Sequence, residues 1–191
     1  DDRPGGAGNV AVNLAALGVS TSLVGVFGTD DAAASHAAIL GDRGIDFAVT
    51  QAADRPTNTK TRVQSPGPQL MSLREEKPVA MPGDAVAAAL AGALDDTGAV
   101  ILSDYGKGAL ADVQTMIRSC RAAGVPVLVD PKGSDFDRYR GASLITPNQS
   151  EFEAVAGVAE SDEDLVARAR AMMHELDLGA LPVTRSEKGM L

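Results

Sequence analysis

Apolar positions recur along this chain with two periods, and their alternation predicts helices set between short strands. Asn9–Leu17 has helical spacing and is closed by Gly18, Ser22–Phe27 reads as a strand, and Asp30–Arg43 reads as a second helix with Thr29 as N-cap and Gly44 just past its end. From Phe47 to Glu76 the texture changes to short alternating runs, Lys60–Gln64 and Leu70–Arg74, on either side of Pro66-Gly67-Pro68, which predicts a small hairpin-bearing lid over about 47–76. The earlier rhythm then resumes with helix Asp84–Leu94, strand Val100–Ser103, helix Leu110–Ala123, strands Val127–Val129 and Leu144–Ile145, helix Asp162–Leu176 and strand Leu181–Thr184. Helices between short apolar strands predict an α/β fold, a mostly parallel sheet with helices on both faces. No internal repeat or low-complexity linker divides the chain.

Composition narrows the class. At 191 residues with 45% hydrophobic residues, the chain can bury a core as one domain. A net charge of −9 without a basic run argues against nucleic acid or an anionic membrane as the main partner, and favours a small-molecule substrate. Apolar stretches are broken well short of the ~20 residues a membrane span needs, and Asp1-Asp2-Arg3-Pro4 has no signal-peptide pattern, so the cytoplasm is the expected location. The single cysteine, Cys120, shares a helical face with Leu110, Val113 and Ile117 and reads as a packed thiol. His36 and His174 are expected at the surface, with no His/Cys metal cluster. The chain opens on a glycine-rich turn with no strand before it and stops as an apolar run begins at Gly189-Met190-Leu191, so elements are expected to be missing at both ends.

The chemistry concentrates in Asp130-Pro131-Lys132-Gly133 and Thr146-Pro147-Asn148-Gln149-Ser150-Glu151, with Tyr139-Arg140-Gly141-Ala142 between them. Asp130 and Asn148 come just past strand ends, where open α/β sheets bind ligands. A cation at Lys132 and a carboxylate at Glu151 suit a polyphosphate and its Mg²⁺. Asn148-x-x-Glu151 is equally a capping box. Asp104-Tyr105-Gly106-Lys107-Gly108 follows another strand, and reads either as a plain strand-to-helix turn or as a sugar contact at Asp104 with Lys107 near the transferred phosphate. Lys60 and Arg62 alternate on one strand face, as solvated cations or as a grip on a distal phosphate, with Arg74 a third candidate. Gly5-Gly6 with Asn9 is either a turn that opens a helix or bare backbone against a sugar. Gly6-x-Gly8-x-x-Ala11 also fits a dinucleotide fingerprint, which needs a strand before it that Asp1-Asp2-Arg3-Pro4 cannot supply.

Taken in order, Arg3-Pro4-Gly5-Gly6-Ala7-Gly8-Asn9, Asn58-Thr59-Lys60-Thr61-Arg62, Leu102-Ser103-Asp104-Tyr105-Gly106-Lys107-Gly108, Asp130-Pro131-Lys132-Gly133, Thr146-Pro147-Asn148 with Glu151, and Thr184-Arg185-Ser186-Glu187-Lys188-Gly189 resemble the ribokinase-like (PfkB) sugar kinases. Within that family the set is most similar to the heptose 7-phosphate kinases joined to a heptose 1-phosphate adenylyltransferase. The resemblance implies ATP- and Mg²⁺-dependent phosphorylation of D-glycero-β-D-manno-heptose 7-phosphate at the anomeric hydroxyl, on the route to ADP-heptose for lipopolysaccharide, by a homodimer. It implies sugar contacts at Gly5, Gly6, Asn9 and Asp104, phosphate contacts at Lys107 and Lys132, nucleotide contacts at Asn148, Thr184, Ser186 and Gly189, and Mg²⁺ support through water at Glu151. The distal phosphate falls to Lys60, Arg62 and Arg74. Two departures from the pattern stand out. Thr184-Arg185-Ser186-Glu187-Lys188-Gly189 replaces the commoner Thr-x-Gly-x-x-Gly, and the Gly-Ala-Gly-Asp motif that carries the family's general base does not occur between Asp1 and Leu191. The chain as it stands is therefore expected to be inactive. Two other readings stay open: a ribokinase-like kinase for a different sugar or a nucleoside, and a non-enzymatic binding or dimerisation fragment.

Overall fold

The computed structural model describes residues 2–52, 55–64, 69–75 and 83–191. They fall into two compact units, Asp1–Pro82 and Gly83–Leu191.

In the first unit, helix α1 (Gly6–Ala16), strand β1 (Ser22–Phe27), helix α2 (Asp31–Gly41) and strand β2 (Asp46–Gln51) form a βα layer. β1 and β2 pair in parallel, from Ser22↔Asp46 to Phe27↔Gln51. Ala11, Leu23, Leu40 and Ile45 make its core, with Ala7, Val12, Ala15 and Phe27 packed around them. The N-cap of α2 is Asp30, not Thr29: its Oδ1 accepts from the Ala33 N–H at 3.0 Å. Its Oδ2 accepts from the Thr57 N–H at 2.7 Å and so fastens the segment after β2 to the start of α2. A Cβ on Gly28 would lie 2.6 Å from the Arg55 carbonyl oxygen, so this close approach of two backbones requires glycine.

The sequence placed residues 47–51 at the start of the lid, but they belong to β2, which extends the parallel layer. The hairpin proper is β3 (Thr59–Gln64) with β4 (Gln69–Glu75), antiparallel, with Lys60 opposite Arg74 and Arg62 opposite Ser72. Pro66-Gly67-Pro68 and Glu76 lie outside the described residues. His36 also departs from expectation. Its ring stands edge-on to Phe27 with centroids 4.7 Å apart, and a Cβ on Gly8 would come within 2.7 Å of its Nε2. The missing side chain at Gly8 and the short Ala neighbours leave a niche the imidazole fills, and burial there lowers its pKa. His174 is exposed, as expected.

The second unit runs α3 (Gly83–Ala91), β5 (Val100–Ser103), α4 (Val113–Ala122), β6 (Val127–Asp130), β7 (Leu144–Ile145), α5 (Gln149–Ala156) and α6 (Asp162–Glu175). Its sheet has the order β5-β6-β7, all parallel. Val100, Leu102, Val127, Val129 and Ile145 are buried from the strands, and Val113, Met116, Ile117 and Cys120 are buried from α4. Burial raises the Cys120 thiol pKa, as fits a packed side chain. The strand expected at Leu181–Thr184 is only a set of isolated bridges, Leu144↔Ala180 and Asn148↔Thr184, because Pro182 has no N–H to give a ladder. It still lies beside β7, where the Thr184 N–H donates to the Pro147 carbonyl at 3.0 Å.

Candidate active site

The loops that leave β5, β6 and β7 meet at the carboxyl ends of the strands, which is where a parallel sheet turns its chain towards helices and leaves a crevice. The Asp104 N–H donates to the Asp130 carbonyl at 2.9 Å, and the Thr146 N–H to the Val129 carbonyl at 3.0 Å, so these loops start in register. A cavity of about 220 Å³ opens there. Asp104 and Tyr105 line it from β5, and Asp130, Pro131 and Lys132 from β6. Thr146, Asn148, Glu151 and Thr184 complete the wall.

Asn148 and Glu151 are at once a helix cap and a charged site. Asn148 Oδ1 accepts from the Glu151 N–H at 2.9 Å, and Glu151 Oε2 accepts from the Asn148 N–H at 3.1 Å, which is the full reciprocal box at the start of α5. The other carboxylate oxygen, Oε1, accepts from Lys132 Nζ at 3.1 Å. Lys132 and Glu151, which the sequence could only suggest as partners, are an ion pair across the cavity. Asp130 is open to solvent on one side, yet burial of its other side, followed by the negative charge of Glu151, raises its pKa against the pull of Lys132. The oxygen donors here fit Mg²⁺ held through water. Among the described residues no three His, Cys, Asp or Glu side chains converge into a direct cage.

Asp104, offered by the sequence as a sugar contact, lines the cavity with its carboxylate held by the protein. It is buried, Oδ1 accepts from the Gly106 N–H at 2.7 Å, and Oδ2 accepts from the Tyr139 hydroxyl at 2.7 Å. Arg138 Nη1 stands 3.5 Å from the same Oδ2. Both carboxylate oxygens are thus engaged by the protein. Lys107 is exposed on the following turn and is not among the residues lining the cavity. Tyr139, Arg138 and Thr146 were not picked out as site residues from the sequence, although the Tyr139-Arg140-Gly141-Ala142 run was visible.

A second, more open cavity of about 620 Å³ continues from Asn148 and Thr184. Ser186 lines it, as do Arg185 and Lys188, whereas Gly189 closes the 3₁₀ turn Ser186–Lys188 behind it. Ser186 takes φ 54, the left-handed region that glycine occupies freely. The serine that stands where the commoner pattern has glycine thus holds a conformation glycine adopts freely, at a strain of roughly 1–3 kcal/mol. Arg185 Nη1 holds Asp162 at 2.6 Å and ties this loop to α6.

The remaining candidates belong to the first unit. Gly5 is the N-cap of α1 with extended backbone, Gly6 has φ 52, and Asn9 is exposed on the first turn, its carbonyl accepting from Asn13 Nδ2 at 3.0 Å. Lys60 and Arg62 are exposed on one face of β3, and the pairing register sets Arg74 directly opposite Lys60.

Residues 2–191 match the family model of pfkB family carbohydrate kinases. The chain belongs to that family. The bifunctional protein HldE of Pectobacterium atrosepticum is 51% identical over 191 residues, which is 100% of this chain and 40% of that protein. HldE of Pseudomonas fluorescens strain Pf0-1 is 50% identical over 190 residues, again with 40% of its length covered. This pfkB-family chain thus spans about two fifths of the curated relatives it matches. Among solved structures, phosphofructokinase-2 of Escherichia coli superposes with a TM-score of 0.77 at 20% identity over 100% of this chain and 64% of that one. Arabidopsis thaliana ribokinase, solved with ribose and ATP, gives 0.71 at 22% identity over 96% of this chain and 61% of that one. The ribokinase-like α/β fold expected from the sequence is the observed one.

Proposed function

We propose that the chain contributes the sugar-kinase part of an ATP-dependent heptose 7-phosphate kinase, which transfers the γ-phosphoryl group to the anomeric hydroxyl and yields the 1,7-bisphosphate. The observation that carries the phosphoryl-transfer reading is the Lys132–Glu151 pair at the mouth of three parallel strand ends, beside a second cavity wide enough for a nucleotide. Half-identity to HldE across the whole chain supports the heptose assignment. Bound Mg²⁺ would supply charge neutralisation on the phosphate oxygens. Lys132 would present its ammonium to the transferring phosphate, Glu151 and Asn148 would hold the metal through water, and Thr184, Arg185 and Ser186 would border the nucleotide. Lys60 and Arg62 on β3 are the cations proposed for a distal phosphate. A homodimer working in the cytoplasm belongs to the same proposal; among the described residues no helix is long and apolar enough to cross a membrane.

The test is titration calorimetry of the chain with Mg²⁺-ATP and with heptose 7-phosphate, beside a coupled ADP-release assay. Binding of both ligands is the expected result, with preference for the phosphorylated sugar. No ADP release is expected from these 191 residues, because they contain no Gly-Ala-Gly-Asp motif to accept the sugar proton. Equal affinity for phosphorylated and unphosphorylated sugars would shift the reading to another pfkB-family substrate.

A further inference from the structure

The Tyr139 hydroxyl occupies an unusual junction. It is fully buried, donates to Asp104 Oδ2 at 2.7 Å, and accepts from the Lys132 N–H at 3.1 Å, with the Lys132 carbonyl 3.3 Å away. One phenol oxygen thus contacts both main-chain polar groups of the residue whose ammonium faces Glu151, and at the same time the carboxylate at the end of the neighbouring strand. Pro131 fixes one φ before Lys132, and Gly133, at φ 84, follows it. Arg138 backs the phenol. Its guanidinium lies 5.4 Å from the Tyr139 ring centroid, its Nη2 donates to the Leu110 carbonyl at 2.8 Å, and its Nη1 faces Asp104. Burial pushes the Tyr139 pKa up to about 12, so the hydroxyl keeps its proton and both roles across the working pH range.

We propose that Tyr139 is a positioning residue for anion binding: braced by Asp104, its hydroxyl anchors the Lys132 backbone so that the ammonium is presented into the cavity beside Glu151. Tyr139 touches no ligand in this scheme and acts only through Lys132. The inference rests on the reading of Lys132 as a phosphate contact.

A double-mutant cycle on the whole chain, with Mg²⁺-ATP as the titrant in a calorimeter, tests it. Lys132→Met is expected to weaken binding about tenfold or more, as for loss of a charge-assisted bond. Tyr139→Phe keeps the ring and removes the oxygen, and is expected to weaken binding about three- to tenfold while a Lys132→Met/Tyr139→Phe double variant binds no worse than Lys132→Met alone. A role limited to holding the fold gives additive losses instead. Arg138→Met provides a second arm should Tyr139→Phe fold poorly, with a smaller loss that also vanishes in the Lys132→Met background. If Lys132→Met weakens binding but Tyr139→Phe and Arg138→Met have no effect or add in full, the positioning role is overturned and the phosphate-contact reading stands. If Lys132→Met has no effect, the phosphate contact itself is wrong and the positioning role falls with it.

Discussion

Replacing Glu151 by Gln separates its two duties, because the structure assigns each carboxylate oxygen to a different one. Oε2 accepts from the Asn148 N–H and completes the α5 cap, a bond that a glutamine oxygen can keep. Oε1 faces the Lys132 ammonium, against which a glutamine NH₂ has nothing to offer. The Lys132 side chain is 57% exposed and that of Glu151 18%, so the lost pair is mostly a surface one and is worth about 0.3–1 kcal/mol. For a chain of this size that lowers the melting temperature by about 1–4 °C. The binding consequences have opposite signs in the presence and absence of metal. With Mg²⁺, loss of the carboxylate that supports the ion should weaken ATP binding by about 1–1.5 kcal/mol, or roughly five- to tenfold. In EDTA, Lys132 is released from its competitor and one negative charge leaves the cavity, so the affinity for ATP should rise. The assay is a pair of calorimetric titrations of the wild-type chain and Glu151→Gln, with and without Mg²⁺, beside a thermal melt. Unchanged affinity under both conditions would leave Glu151 as a cap alone, and a parallel loss under both, or a fall in melting temperature beyond about 6 °C, would refute the division of labour.

Arg62→Ala should weaken binding of the sugar phosphate by about 1.5–3 kcal/mol and barely move ATP affinity, as read by calorimetry against both ligands; equal losses would return Arg62 to a solvated strand face. Asp30→Ala should cost about 1–2 kcal/mol in urea unfolding, since it removes a helix cap and the Thr57 anchor together. The hydrogen bonds from Thr57 hold the Asp30 carboxyl below its ordinary 3.8. Its contribution should therefore be complete above that value and disappear as pH falls through the lower folded value, so Asp30→Asn should flatten the stability–pH curve below about pH 4.

What the chain disclosed in advance was whatever depended on local pattern. Ser22–Phe27, Val100–Ser103 and Leu144–Ile145 were readable to the residue because apolar β-formers sit between turn residues. The cap at Asp30 was missed by one position, since Thr29 is also a cap former by type, while Asp30 takes both the Ala33 N–H and, far away in sequence, the Thr57 N–H. Residues 47–51 were assigned to the lid because the change of texture after Phe47 does not say that this stretch pairs in parallel with β1. At the site, Lys132, Asn148 and Glu151 were nameable because strand ends are where ligands sit. The engagement of Asp104 by Tyr139 and Arg138 was not, because a separation of about 35 residues leaves no periodic trace. His36 was misplaced for the same reason: the niche is made by an absent side chain at Gly8.

The chain contains two tyrosines and no tryptophan, and both tyrosines belong to one place. Tyr105 lines the cavity from the wet side and Tyr139 lies buried beneath it, hydrogen-bonded to a carboxylate. Nearly all of the protein's near-ultraviolet absorbance and emission therefore originates within a few side chains of the proposed phosphate site. Light shone on the unlabelled, unmutated molecule reports the state of that crevice, with the four phenylalanines too weak to obscure it.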